Sequence, residues 1–116
     1  MHTFYNHNSL DPFPLEPESV NLVCTSPPYY LLRNYRNDPR QIGAEKTVEG
    51  YVEHLVQVAK NIREVLAKDG SYYLNIGDTY GENKSLMLTP HRVALAMIAD
   101  GWILRNTIVW SKPSPM

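Results

Sequence analysis

At 116 residues, 43% of them hydrophobic and 20% charged, the chain has room for one domain and the composition of a globular protein. No run of about 18 apolar residues could span a bilayer, the start Met1-His2-Thr3-Phe4-Tyr5 lacks the order of a secretory signal, and the single Cys24 excludes an internal disulfide framework. A net charge of −1 gives no overall basic excess of the kind a stand-alone duplex binder uses against phosphates, although Arg33, Arg36 and Arg40 crowd into one stretch where a basic patch and a solvated loop are equally good readings. Cytosolic residence is the expectation.

No internal repeat, low-complexity tract or linker divides the chain, and the apolar pattern predicts strand, strand, helix, strand, helix, strand. A short strand is expected over His2–Asn6, then a proline-rich stretch from Asn8 to Ser19, where missing N–H groups prevent a ladder. Val20–Thr25 is β-branched and apolar, short enough for a buried strand, and stopped by Ser26-Pro27-Pro28. From Val48, the residues Tyr51, Val52, Leu55, Val58, Ala59, Ile62, Val65 and Leu66 recur at three and four, which predicts a helix capped by Thr47 and ended by Gly70. Ser71–Ile76 reads as the next strand, with Gly77-Asp78-Thr79 as the turn at its end. A second helix is signalled by Thr89 as N-cap and Pro90 at the first helical position, with Val93, Ala96 and Met97 inward and Gly101 just past the end. Ile103–Ser111 alternates weakly as a last strand before Lys112-Pro113. Strands separated by helices predict an α/β fold with a mainly parallel sheet and flanking helices.

Ligands of open parallel sheets gather beyond the carboxyl ends of the strands, and Ser26-Pro27-Pro28-Tyr29-Tyr30 lies at such an end. Successive prolines remove two N–H donors and fix φ twice, so carbonyl acceptors are held rigidly toward a ligand. Ser26 adds a hydroxyl oxygen, and Tyr29 and Tyr30 add flat apolar faces. A planar group bearing an NH₂ fits such a corner, although the tetrapeptide alone is equally well a strand-ending turn with an aromatic packed behind it.

Further blocks follow in order: Gln41-Ile42-Gly43, the long helix, Leu74-Asn75-Ile76-Gly77-Asp78-Thr79-Tyr80, and Asp100-Gly101-Trp102 through Trp110-Ser111-Lys112-Pro113. The ordered set resembles the DNA methylases that modify the exocyclic amine of cytosine or adenine with S-adenosylmethionine, in the subgroup whose catalytic loop precedes the cofactor-binding glycine motif. It covers nearly the whole chain. The family loop, (Asp/Asn/Ser)-Pro-Pro-(Tyr/Phe/Trp), is matched by Ser26, Pro27, Pro28 and Tyr29.

The resemblance implies a partial Rossmann-like methyltransferase fold acting on DNA. Ser26 and the Pro27 carbonyl would hold the target amine in hydrogen bonds, and Tyr29 would stack on the everted base, offsetting roughly 1 to 3 kcal/mol of lost stacking. Catalysis would be positioning plus electrostatics without a covalent enzyme intermediate, leaving Cys24 as a buried strand residue. Ser at the first loop position leans toward cytosine N4 over adenine N6. Thr25, Asn8 and Asp78 are the candidates for cofactor contact, with Asp78 equally suited to closing a turn. Tyr30, Arg33 and Lys112 are the candidates for substrate contact. His2, His7, His54 and His91 show no metal-ligand spacing, so no metal is expected, and Trp102 and Trp110 are expected to pack the sheet and its border.

The six glycines are dispersed, with no glycine-rich cofactor turn after any strand. The expectation is therefore a single partial catalytic domain over residues 1–116, lacking the cofactor glycine motif and the target-recognition region, with unpaired sheet edges. Such a chain would bind S-adenosylmethionine weakly or not at all unless a complementing chain, or the missing C-terminal part, supplied the rest. Two other classes compete: a non-catalytic nucleic-acid-binding or assembly subunit, and a protein glutamine N-methyltransferase, whose substrate is also a flat amide.

Overall fold

Thr47 starts the longest element by accepting the Gly50 amide on its side-chain oxygen at 3.1 Å, so the first helix, α1, runs Val48–Val65 as its cap predicts. The computed structural model describes residues 1–32 and 37–114 of the chain. In chain order it holds strand β1 (Val20–Thr25), α1, strand β2 (Leu66–Leu74), a 3₁₀ turn at Glu82–Lys84 and helix α2 (Thr89–Ala99).

β1 and β2 pair in parallel with α1 as the crossover, giving one βαβ unit. The buried face of α1 comprises Val48, Tyr51, Leu55, Val58, Ala59, Asn61, Ile62 and Val65, nearly the predicted stripe. Tyr51, Leu55 and Val93 of α2 meet Tyr30 in the core, joined by Ile42, Leu74, Ile76 and Met97 at its margin. Fully burying an aliphatic side chain such as Leu55 or Val93 contributes about 1.5–3 kcal/mol, so this cluster carries much of the fold.

α1 ends earlier than Gly70, because Leu66 already has extended backbone at φ −77°, ψ 135°. Leu66 pairs with Val20, the register then shifts, and the ladder resumes at Ser71 opposite Leu22. The regular pairing thus begins where the sequence places it. α2 is capped differently from expectation: Leu88 holds the left-handed N-cap position, while Asp78 Oδ1 accepts the Thr89 amide at 3.2 Å. Thr89 is fully buried and its hydroxyl has no partner among the described residues.

Register separates the two faces of the sheet. Val23, Thr25, Tyr72 and Leu74 lie on the helix side, whereas Leu22, Cys24, Ser71 and Tyr73 share the other. That other face is open, with Leu22 58% and Tyr73 52% exposed. Cys24, expected to be buried, is therefore exposed, because parity puts it away from α1.

Two predicted strands do not form. His2–Asn6 and Ile103–Ser111 carry no strand, since neither segment finds a ladder partner among the described residues. Alternation of side chains specifies a strand only when a neighbour accepts its backbone. Trp110, expected at the sheet border, is 76% exposed in consequence. Trp102 does pack as expected, with its ring 5.6 Å from Tyr72 and the Arg63 guanidinium 5.7 Å above it. Arg63 also donates to the Asp100 carbonyl at 2.6 Å and to its carboxylate at 2.9 Å, tying the ends of α1 and α2 together. Among the described residues no helix is long and apolar enough to cross a membrane.

Candidate active site

The chain leaves β1 at Thr25 and turns through Ser26-Pro27-Pro28-Tyr29 at the carboxyl end of the parallel pair. The Asn75 amide donates to the Thr25 carbonyl at 2.9 Å, which extends the ladder past β2 and fixes the start of the turn. The Asn75 side-chain amide stands 3.4 Å from Ser26 Oγ, an exposed oxygen that keeps acceptor capacity for a second donor. The Pro28 carbonyl accepts the Tyr51 hydroxyl at 2.8 Å. The Pro27 carbonyl has no hydrogen-bond partner among the described residues.

Tyr51 is fully buried in the first turn of α1, beneath the corner. Burial above all, and then the nearby Glu45 carboxylate, pushes its phenol well above the ordinary tyrosine range, so the hydroxyl remains a donor at any physiological pH. The Tyr30 ring rests 5.4 Å from that of Tyr51 and seals the corner from below. Behind it the Gln41-Ile42-Gly43 turn comes close: the Leu31 amide donates to the Gly43 carbonyl at 2.7 Å, and the Gly43 amide donates to Glu45 Oε1 at 2.7 Å. Gly43 has φ +108°, and a Cβ there would meet the Tyr29 carbonyl at 3.0 Å. Glu45 Oε2 is in turn 2.7 Å from His54 Nδ1, so α1 also holds this turn.

The corner is thus gripped from the end of β2, from α1 and from the Gly43 turn, while Ser26 is exposed and the Pro27 carbonyl has no partner among the described residues. Residues 20–116 match the family model described as DNA methylase, covering N6 and N4 amino-methyltransferases. The chain belongs to this DNA methylase family.

Among its relatives are the Type II methyltransferase M.SfiI of Streptomyces fimbriatus, 46% identical over 88% of this chain and 28% of that protein, and the Type II methyltransferase M.MwoI of Methanothermobacter wolfeii, 42% identical over 88% of this chain and 16% of that protein. The fold is similar to the solved PvuII DNA methyltransferase (cytosine-N4-specific), with a TM-score of 0.59 and 27% identity over 75% of this chain and 29% of that one. The chain therefore spans under a third of each of these relatives, and its parallel strand pair with helices is a partial α/β fold similar to that part of the PvuII enzyme.

The structure gathers some of the sequence-predicted residues and separates others. Ser26, Pro27, Pro28 and Tyr29 sit together at the strand end. Tyr30, expected in substrate contact, is 4% exposed and belongs to the core, because the chain turns inward after Tyr29 to meet Tyr51. Thr25 points its hydroxyl to the Tyr72 hydroxyl at 3.2 Å on the helix side of the sheet. Asp78 takes the turn-closing alternative: its Oδ1 accepts its neighbour Thr79's amide at 2.9 Å as well as that of Thr89. Asn8 closes a turn by accepting the Leu10 amide at 3.0 Å, and Asn61 holds that turn near the far end of α1. Asn61 lies ten positions beyond Tyr51 along α1, about 15 Å of axis, so Asn8 is not brought to the corner.

Lys112 lies exposed in the segment after Trp102, with no ion pair among the described residues. Arg33 and Arg36 lie outside the described residues, and Arg40 is paired with Asp38 at 3.2 Å. That guanidinium, chiefly through its side-chain hydrogen bond, holds the Asp38 carboxyl below the usual range. Among the described residues no His, Cys, Asp and Glu cluster is arranged to hold a metal.

Three residues of the corner's framework escape sequence reading. Asn75 looks like one polar position in an apolar strand, Gly77 like an ordinary turn glycine, and Tyr51 like plain core. For Tyr51 and Asn75 the available signal lay in their polarity: a buried phenol needs a hydrogen-bond partner, and a side-chain amide beside a strand end needs an acceptor.

Proposed function

We propose that this chain carries the base-amine corner of a site-specific DNA methyltransferase of the restriction-modification kind, which transfers a methyl group from S-adenosylmethionine to the exocyclic amine of cytosine, at N4, in preference to adenine N6. One observation carries the reading: on a corner anchored at the Thr25 and Pro28 carbonyls, Ser26 Oγ has only a 3.4 Å contact to Asn75 and the Pro27 carbonyl has no partner among the described residues, which leaves two acceptor oxygens. Two acceptors on a stiff turn suit the two hydrogens of an aromatic NH₂.

The mechanism follows from why that amine is inert. Its lone pair is delocalised into the ring, so it attacks only when its hydrogens are held in positions that favour a pyramidal nitrogen. Ser26 and Pro27 act as those acceptors, preorganised by Asn75 and by the Tyr51 hydroxyl on the next carbonyl, so little reorganisation is needed at the moment of reaction. Tyr29 supplies the face on which an everted base stacks, worth roughly 1–3 kcal/mol. Preference for N4 rests on the Ser at the first loop position, together with the cytosine-N4-specific name of the solved structural neighbour.

The residues singled out for the methyl donor do not make a cradle. Thr25 is engaged by Tyr72, Asp78 by the α2 amides, and Asn8 lies at the far end of α1. S-adenosylmethionine is therefore assigned to the part of the relatives' fold that this chain does not span, whether a continuation of the same polypeptide or a second chain supplies it. The open sheet face bearing Leu22 and Tyr73 is the surface on which that remainder would pack.

The test is methyl transfer from labelled S-adenosylmethionine to unmodified bacterial DNA, with the chain joined to the remainder of the fold. Ser26→Ala and Tyr29→Ala should each abolish most of the turnover, and digestion of the product should release N4-methylcytosine. Transfer to a glutamine-containing peptide rather than DNA, or variants that keep full turnover, would overturn the reading.

A further inference from the structure

The Tyr29 ring lies on a piece of backbone that only glycine leaves bare. A Cβ built on Gly77 would stand 2.5 Å from Tyr29 Cε2, 2.9 Å from Cδ2 and 3.1 Å from Cζ, roughly an ångström inside van der Waals contact. Gly77 does not occupy the left-handed region, so its backbone shape alone would admit any residue. What excludes a side chain is the ring.

Neither backbone is free to withdraw. On the Gly77 side, the Asn75 amide is bound to Thr25 and the Asp78 carboxylate is bound to the amides of Thr79 and Thr89. On the Tyr29 side, the Pro28 carbonyl is held by Tyr51, and Gly43 abuts the Tyr29 carbonyl. The soft coordinate left is rotation of the Tyr29 side chain itself.

We infer that Gly77 is a positioning residue: its bare backbone is the floor on which the Tyr29 ring rests, and it sets the plane in which a target base stacks. The inference rests on the methyl-transfer reading of the corner. It assigns the second strand's end, and not the Pro-Pro turn alone, a part in aiming the amine at the methyl donor. Gly77 touches no substrate and acts only through Tyr29.

The experiment is a double-mutant cycle in the active methyltransferase that carries this segment. Gly77→Ala should lower kcat about a hundred-fold, the order expected for a reacting group displaced by about an ångström, with KM for S-adenosylmethionine unchanged. Added to Tyr29→Ala, the same change should cost nothing further, because the ring it collides with is gone. Equal loss in both backgrounds, or a Gly77→Ala enzyme within about two-fold of the parent, would overturn the inference. Should Gly77→Ala fail to fold, the paired Gly77→Ala/Tyr29→Ala protein should fold; if it too fails, the effect lies in the backbone and the inference is wrong. Failure of the methyl-transfer reading is separable: without any turnover, the ring seat is still read by the upfield shift of the Gly77 Hα protons, which Tyr29→Ala should remove.

Discussion

The Tyr51 hydroxyl, buried at the start of α1, donates a 2.8 Å hydrogen bond to the carbonyl of Pro28, twenty-three residues earlier in the chain. A helix that packs as plain core therefore also steers the corner. Pro28 has no N–H and one fixed dihedral, so anchoring its carbonyl fixes the direction in which the preceding carbonyl, that of Pro27, can point.

Tyr51→Phe separates packing from anchoring. The ring contact with Tyr30 survives, while the Pro28 carbonyl loses its donor. Denaturant unfolding should register a loss of about 1 kcal/mol, rising to about 3 if the carbonyl stays dry. Turnover in the enzyme that carries this segment should fall more than stability does, because a freed Pro28 carbonyl lets the Pro27 acceptor drift. An unchanged turnover would show that the prolines hold their direction unaided.

The same phenol makes stability fall in alkali. Burial raises the Tyr51 pKa in the folded chain, and burial likewise raises that of Tyr72. Above the ordinary tyrosine value of about 10 the unfolded chain gives up these protons while the folded chain retains them. Over that window the unfolded state binds fewer protons, so unfolding becomes easier as pH rises; the tyrosine contribution is complete below about pH 10 and lost as pH climbs through the folded values. Melting temperatures measured across this range should decline, and Tyr51→Phe should decline less steeply. A parallel decline in both proteins would assign the effect to other groups.

Asp78 caps α2 from outside the helix, and its replacement should be felt there. Asp78→Ala leaves the amides of Thr79 and Thr89 without their acceptor and should cost about 0.5–2 kcal/mol in thermal unfolding, whereas Asp78→Asn retains an oxygen and should cost less. Cofactor affinity in the enzyme that carries this segment should be unchanged by Asp78→Asn if capping is the whole of its role.

What was legible in the sequence depended on how local the cause was. The α1 stripe and its Thr47 cap are set within a few residues of one another, so periodicity found them. Val20–Thr25 and the resumption of pairing at Ser71 were likewise marked by proline and by β-branched or aromatic runs. Ile103–Ser111 was misread because a strand is completed by a neighbour, and none among the described residues pairs with it. Cys24 was misjudged for a related reason: alternation gives parity, but only the position of α1 says which parity is covered. At the site, the loop residues announced themselves by type. Their supports, Asn75, Tyr51 and Gly77, are distant in sequence, and only the parallel register brings them beneath the turn.

Asn61 offers the last test, at the end of α1 away from the corner. It is 5% exposed and its side-chain amide donates to the carbonyls of Ser9 at 2.9 Å and Asp11 at 3.0 Å, while its oxygen accepts from Gln57. These bonds hold the proline-rich segment, which has no ladder of its own, against the helix that β1 must pass. Asn61→Leu keeps the volume and removes both donors, leaving two carbonyls to find water; a cost of about 1–3 kcal/mol is expected, together with faster proteolysis between Asn8 and Ser19. The corner should be indifferent, since some 15 Å of helix lies between Asn61 and Tyr51. Turnover of the Asn61→Leu enzyme that carries this segment, measured well below its melting temperature, should match the parent. A selective fall in kcat would mean that the N-terminal segment reaches the reaction after all, and would return Asn8 to the list of residues that act there.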